Sequence, residues 1–223
     1  DSLRLVLPKF KVKTGDSNLV FAYRMDMNAF DAVNPGEFSL LGEGRIGKDD
    51  LIYFTRMGGE GTRDVTAVMA QRLPSLPSVL QVKADGNLES LCVDTLYFEV
   101  PDLLTIEGDA QLFDLTSDLS LQACVKAFDT HGALVDVDGS FAMGTETYAA
   151  QVLIDSLVVN HYVALSDTAL FTGDVAVQGT GLDFFMPSTK LQATANLRNS
   201  HFGQVNLDNI MAEATMEGSL VQC

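Results

Sequence analysis

Three histidines, three cysteines and several closely spaced aspartates are the residues of this chain best suited to chemistry. Imidazoles bind transition metals or move protons near neutral pH, but a metal site read from sequence needs spacings such as HxxxH or HxH. His131, His161 and His201 lie far apart, each near a turn, and are expected to be solvated or locally bonded. Asp136-Val137-Asp138-Gly139 begins like a calcium loop, yet the third ligand and the terminal glutamate are missing from their places. Alternating aspartates on the wet face of a strand explain it without metal. Gly42-Glu43-Gly44-Arg45-Ile46-Gly47 starts like a dinucleotide fingerprint, but its third glycine comes a residue early and no βαβ unit surrounds it. Cys92, Cys124 and Cys223 have neither a disulfide framework nor Cys-x-x-Cys spacing, and Cys124 sits on a polar side beside Gln122 and Lys126. No Gly-x-Ser-x-Gly occurs, and paired carboxylates lie on wet faces where ordinary acidity is expected. The expectation is no catalytic residue, no metal, no cofactor and no enzymatic activity.

The elements around these residues are strands. Between Val163 and Val221, Phe171, Val175 and Val177 alternate with Thr172, Asp174 and Gln178; Leu191, Ala193, Ala195 and Leu197 with Gln192, Thr194 and Asn196; and Ala212, Ala214 and Met216 with Glu213, Thr215 and Glu217. Side chains along a strand point alternately to opposite faces, so each run has one dry and one wet side. The same pattern recurs from Leu80 onward, with breaks such as Asp85-Gly86-Asn87. A change of parity between Ile154 and Leu157 implies a bulge or a new strand. Leu3, Leu5 and Leu7 alternate before Pro8, and Phe10 and Val12 after it, so Pro8 marks an edge or a break. Asp49 or Asp50 can cap a short helix holding Leu51, Phe54 and Met57, and residues 62–76 hold a second candidate helical turn. The fold class expected is all-β, about a dozen antiparallel strands in one elongated curved sheet, with one or two short helices near residues 48–75. Residues 1–78 form a mixed segment and 79–223 the repetitive strands, read as one continuous unit.

Charge narrows the partners. Residues 1–72 balance ten basic against ten acidic groups, whereas 73–223 carry four basic and twenty acidic, the whole net charge of −16. Phosphate-binding surfaces need clustered lysine and arginine, so nucleic acid is excluded as an expected partner. No apolar run approaches the ~18–20 residues that span a bilayer. The chain begins at Asp1 without methionine and is expected to be a processed or excised piece.

Laid out this way, the chain resembles the TamB (translocation and assembly module) family of the wider AsmA-like group, in its Bacteroidetes form. The residues carrying the resemblance are Thr14-Gly15-Asp16-Ser17, Phe30-Asp31 to Pro35-Gly36, and Gly44-Arg45-Ile46-Gly47-Lys48-Asp49-Asp50-Leu51. They continue with Asp85-Gly86-Asn87-Leu88, Tyr148-Ala149-Ala150-Gln151-Val152, Gly179-Thr180-Gly181-Leu182-Asp183-Phe184-Phe185, and Phe202-Gly203 to Asn209-Ile210. The segment from Leu157 to Leu165 is shorter than the family pattern, and the family's anchor and terminal region are missing.

The resemblance implies an interior piece of a periplasmic protein anchored in the inner membrane, folded as an open U-shaped groove, the β-taco. It implies a bridge that shields phospholipid acyl chains and works with an outer-membrane barrel assembly partner. The groove lining would be Leu80, Val82, Leu104, Ile106, Leu121, Val125, Val135, Val137, Val152, Ile154, Phe171, Val175, Val177, Leu191, Ala193, Ala195, Leu197, Ala212, Ala214 and Met216. The alternative is a closed β-sandwich or solenoid acting as a spacer or adhesion module, in which the same dry faces meet and no lipid enters. Exposed strand edges could also pair and let the fragment self-associate.

Overall fold

The computed structural model describes residues 3–31, 33–56, 73–162, 165–183, 186–218 and 220–222. They form a single antiparallel sheet whose strand order follows the chain. Strands β1 (Arg4–Lys13), β2 (Asn18–Asp26) and β3 (Phe38–Ile46) precede helix α1 (Lys48–Arg56). Then come β4 (Ser78–Gly86), β5 (Ser90–Val100), β6 (Leu104–Phe113), β7 (Ser120–Asp129), β8 (Leu134–Ala142) and β9 (Thr147–Val158). A 3₁₀ turn at Val159–His161 leads to β10 (Ala169–Thr180), β11 (Lys190–Leu197), two-residue strands β12 (His201–Phe202) and β13 (Val205–Asn206), β14 (Ile210–Glu217) and β15 (Leu220–Gln222). The β12–β13 pair hangs off β10, and β11 pairs directly with β14.

Three bulges keep this ladder in step. In β1 the register slips between Leu7 and Phe10, where Pro8 has no N–H to donate, and β1 is an edge strand. In β5 an extra residue sits at Asp94, because Lys83 faces Thr95 while Ala84 faces Val93. In β9 the slip falls between Ile154 and Leu157, where Ser156 takes a positive φ of 56° and its N–H donates to Thr172 Oγ1 at 3.0 Å. Each bulge absorbs a change of parity and returns the following apolar residues to the face they would otherwise leave. The expected break at Leu157 is this third bulge.

The sheet is open. β1 and β15 are its two ends and do not pair, so it forms no barrel. The chain exposes 14053 Å². A compact protein of 24.1 kDa would expose roughly 10,000 Å². The expected class, all-β with about a dozen antiparallel strands in one elongated sheet, is what the chain has; the sheet is open and uncurled rather than bent into a U, and among the described residues no second layer lies on it to make a sandwich. Most of the buried apolar residues stand at strand ends or under turns, among them Ile46, Leu73, Val100, Ala133, Ala169 and Met216, each at most 9 % exposed; Ala84, at 8 %, is buried within β4.

The first expected helix is α1; the second candidate, at 62–76, lies largely outside the described residues. Asp49 and Asp50 are in the first turn of α1 rather than at its cap, since the Leu51 N–H already donates to the Gly47 carbonyl at 3.0 Å. Asp50 accepts hydrogen bonds from the Thr14 hydroxyl and, at 2.5 Å, from Ser17 Oγ, tying the helix to the β1–β2 turn. Lys48 Nζ reaches the Leu73 carbonyl at 2.7 Å.

A Cβ on Gly42 would stand 2.8 Å from the Phe21 ring and 2.9 Å from Val82. Gly42→Val should cost about 1–3 kcal/mol by overpacking, read as a lower urea midpoint. At Gly139 the nearest atom to a new Cβ is 3.6 Å away, so Gly139→Ala should be tolerated. Separately, the Ser17 hydroxyl first, then that of Thr14, hold the Asp50 carboxyl below the usual carboxylate range. A depressed acid stabilises the fold above its unfolded pKa, about 4, and loses that contribution as pH falls through its folded value. The Tm gap between the parent chain and Asp50→Asn should be widest near pH 7 and close below about pH 4.

Candidate functional site

Register partners in an antiparallel ladder share a face, so aligned residues form rows running across the strands. One row runs Phe10, Phe21, Gly42, Val82, Leu96, Gly108, Val125, Val137, Val152, Val175, Ala195, Ala212. The next row toward the Tyr148 end passes through Ala84, Ala110, Ala123, Gly139, Ala150, Val177, Ala193 and Ala214. Beyond it stand Leu112, Leu121, Phe141, Tyr148, Gly179, Leu191 and Met216. On the other side lie Leu80, Phe98, Ile106, Ala127, Val135, Ile154, Gly173, Leu197 and Ile210.

All twenty residues singled out from the sequence fall on this one face, Leu104 and Phe171 in the row just beyond Ala127 and Ile154. At strand and residue spacings of ~4.8 Å and ~3.4 Å, the four rows cover about 60 Å by 20 Å. The central positions Val125, Val137, Val152, Val175 and Ala195 are partly exposed, as an uncovered face requires. The expected trough thus has a floor but no opposite wall.

The only side-chain polar atoms in these four rows belong to tyrosines. Tyr23 Oη donates to Met25 Sδ at 3.0 Å. Tyr148 lies over Gly179, where a Cβ would stand 2.5 Å from its Oη, and that buried hydroxyl has no hydrogen-bond partner. Glycine opposite an aromatic ring is how the face stays level at both Gly42 and Gly179.

The opposite face is mainly polar, although Leu41, Phe128 and Leu153 stand exposed on it. Gln111, Gln122, Ser140, Gln178, Gln192 and Thr215 form one row, with Gln178 Nε2 donating to Gln192 Oε1 at 2.8 Å. Cys124, Asp109, Asp138, Gln151, Thr194 and Glu213 form another. A concavity of about 770 Å³ runs along Ser120, Gln122, Thr147, Gln178, Lys190 and Gln192 on this side. Cross-strand pairs steady the face, among them Lys126 with Asp136 at 3.1 Å and Arg198 with Asp174 at 2.8 Å. Cys124 Sγ donates to Asp138 at 3.5 Å and Cys92 Sγ to Asp94 at 3.1 Å. Those carboxylates, with burial, push both thiols up and keep them protonated, the wrong state for a nucleophile.

Sequence spacing missed one convergence. The β7–β8 turn and the 3₁₀ turn after β9 lie at the same end of the sheet, which brings His131 and His161 to Asp129. The two imidazole rings are 4.0 Å apart between centroids. His161 Nδ1 is 3.6 Å and His131 Nδ1 3.8 Å from Asp129 Oδ2, on a carboxylate only 2 % exposed. Asp129 Oδ1 accepts the N–H groups of His131 and Ala133, both at 2.8 Å, and Oδ2 accepts the Tyr162 hydroxyl at 3.0 Å. Burial alone would push the pKa of Asp129 up, but the amides of Ala133 and His131, Tyr162 and His161 outweigh it and hold the carboxyl below its ordinary value. Burial and the adjacent carboxylate push the Tyr162 hydroxyl far above its ordinary value. His201 stays apart in β12, opposite Leu170. Asn160, Tyr162 and the 3₁₀ turn carried no spacing signal that could have announced this.

Compared with family models, curated proteins and solved structures, the chain matches none.

The unpartnered Tyr148 hydroxyl generates a prediction. Tyr148→Phe removes a buried polar atom without changing the ring over Gly179, so unfolding stability should rise by about 1 kcal/mol. A fall of similar size in urea melts would show that the hydroxyl is bonded.

Proposed function

We propose that this chain is a non-enzymatic segment of a TamB/AsmA-like bridge protein that shields phospholipid acyl chains on its apolar face. The observation that carries the reading is the run of four side-chain rows across the sheet with no charged or amide side chain in them. A soluble monomer rarely leaves so large a contiguous apolar patch uncovered without a ligand or partner for it. Alkyl chains suit it because the hydrophobic term is non-directional, at ~0.8 kcal/mol per buried methylene, and the surface offers shape without specific donors. About a dozen methylenes would gain on the order of 10 kcal/mol before the entropic cost of ordering the chain. Headgroups would remain in water beyond the strand ends. On this reading the full-length protein is inner-membrane-anchored and periplasmic, and a barrel partner receives the path at the outer membrane.

The polar face supports the same division of labour. Cross-strand pairs such as Gln178 with Gln192, Gln192 with Glu213 and Lys126 with Asp136 suit that side to water, leaving the other side for the ligand.

Val175 and Ala195 are direct cross-strand partners at the middle of the face. A carboxylate at either place would have to be desolvated under an acyl chain. Val175→Glu and Ala195→Glu should each weaken binding of a fluorescent phospholipid in detergent-free titration by at least about tenfold. Thr194→Glu, on the polar face, should leave it unchanged, and circular dichroism should show the fold intact in all three. Unaltered lipid binding in both apolar-face variants overturns the reading. So does native mass spectrometry that finds the parent chain lipid-free and dimeric, its face covered by a second copy.

A further inference from the structure

We propose that Asp129, His131 and His161 bind one divalent transition-metal ion, with zinc the best-fitting member. The three side chains offer two imidazole nitrogens and one carboxylate oxygen, all within 4.8 Å of one another. Zinc holds nitrogen and oxygen ligands at ~2.0–2.1 Å, which at tetrahedral angles sets neighbouring donor atoms about 3.4 Å apart. The contacts of Asp129 Oδ2 with His161 Nδ1 and His131 Nδ1, at 3.6 and 3.8 Å, already lie within a few tenths of an ångström of that spacing.

The carboxylate is held ready for the role. Oδ1 is occupied by two backbone N–H groups, which leaves Oδ2 turned toward the histidines, and the Tyr162 hydroxyl steadies that oxygen. An outer hydrogen bond of this kind orients a metal-ligating carboxylate and raises metal affinity. Three protein ligands leave a fourth coordination position, and the exposed His131 ring places it toward solvent. The donor set also fits cobalt and nickel. It disfavours magnesium and calcium, which prefer oxygen ligands throughout.

Position gives the ion a consequence. Asp129 pairs with Leu104 in the row just past Ala127 and Ile106, at the rim of the apolar face. The ion would join the β7–β8 turn to the 3₁₀ turn after β9, two connections that the sheet ladder does not link directly. The site stands on different residues from the apolar face, so it holds or fails independently of the lipid reading.

The test titrates the purified, chelator-treated chain with zinc chloride alone, by calorimetry and by equilibrium dialysis with metal analysis. The expected result is one zinc per chain, a raised Tm, and no displacement by millimolar magnesium. His131→Ala, at an exposed position that leaves the fold intact, should weaken binding by at least about tenfold, and Tyr162→Phe by about 10–100-fold. His201→Ala should change nothing. Cobalt in place of zinc should give a visible absorption band that His131→Ala and His161→Ala abolish. Equal zinc uptake in the parent chain and His131→Ala, or displacement by magnesium, overturns the proposal and assigns the uptake to diffuse attraction by the net charge of −16.

Discussion

Everything in this molecule depends on cross-strand register. With no second layer among the described residues to bury the apolar face, the hydrogen-bond ladder and the side-chain contacts along each row carry the sheet. Those rows are coherent only if every strand enters with the right parity, because a slip of one residue would exchange the wet and dry faces of the strand. The bulges near Pro8, at Asp94 and at Ser156 are therefore part of the register, each inserted where the spacing of apolar residues changes. Ser156 adopts a left-handed conformation there, a local strain that the β10 ladder overcomes through the Thr172 hydroxyl.

Much of this was readable in the residues themselves. Alternation located the strands because a half-exposed sheet obeys a period of two, and the break in parity at Leu157 and the proline in β1 marked two of the three bulges. The start of β5 was less legible: Leu91 and Val93 precede the Asp94 bulge and belong to the same face as Leu96, yet in the sequence the two sets are out of phase. The twenty apolar positions reached one face because strand parity alone decides that. Whether the face was roofed could not be read, since an inward residue and an uncovered one look alike in a list of Val, Ala and Leu.

Sites made of distant residues were harder still. His131 and His161 meet because β8 and β9 run out and back between them, a long-range consequence of strand lengths that no local spacing encodes. Asp129 is part of the same geometry: it stands at the end of an otherwise apolar row, where a carboxylate is out of place until the turn amides and Tyr162 are seen to receive it. The aspartates at 136 and 138, by contrast, were correctly placed by alternation on the polar face, Asp136 against Lys126 and Asp138 beside Cys124.

The chain-order topology also bears on how such a protein is made and changed. Each strand meets mainly its neighbours in sequence, so the sheet behaves as a nearly one-dimensional array, closer to a solenoid repeat than to a globular core. Short-range contacts let it assemble hairpin by hairpin, without the slow closure of distant segments that sandwiches require. A duplication or deletion of one hairpin would lengthen or shorten the apolar strip by roughly 10 Å while leaving the other strands in register. Span, in this architecture, can evolve separately from surface chemistry.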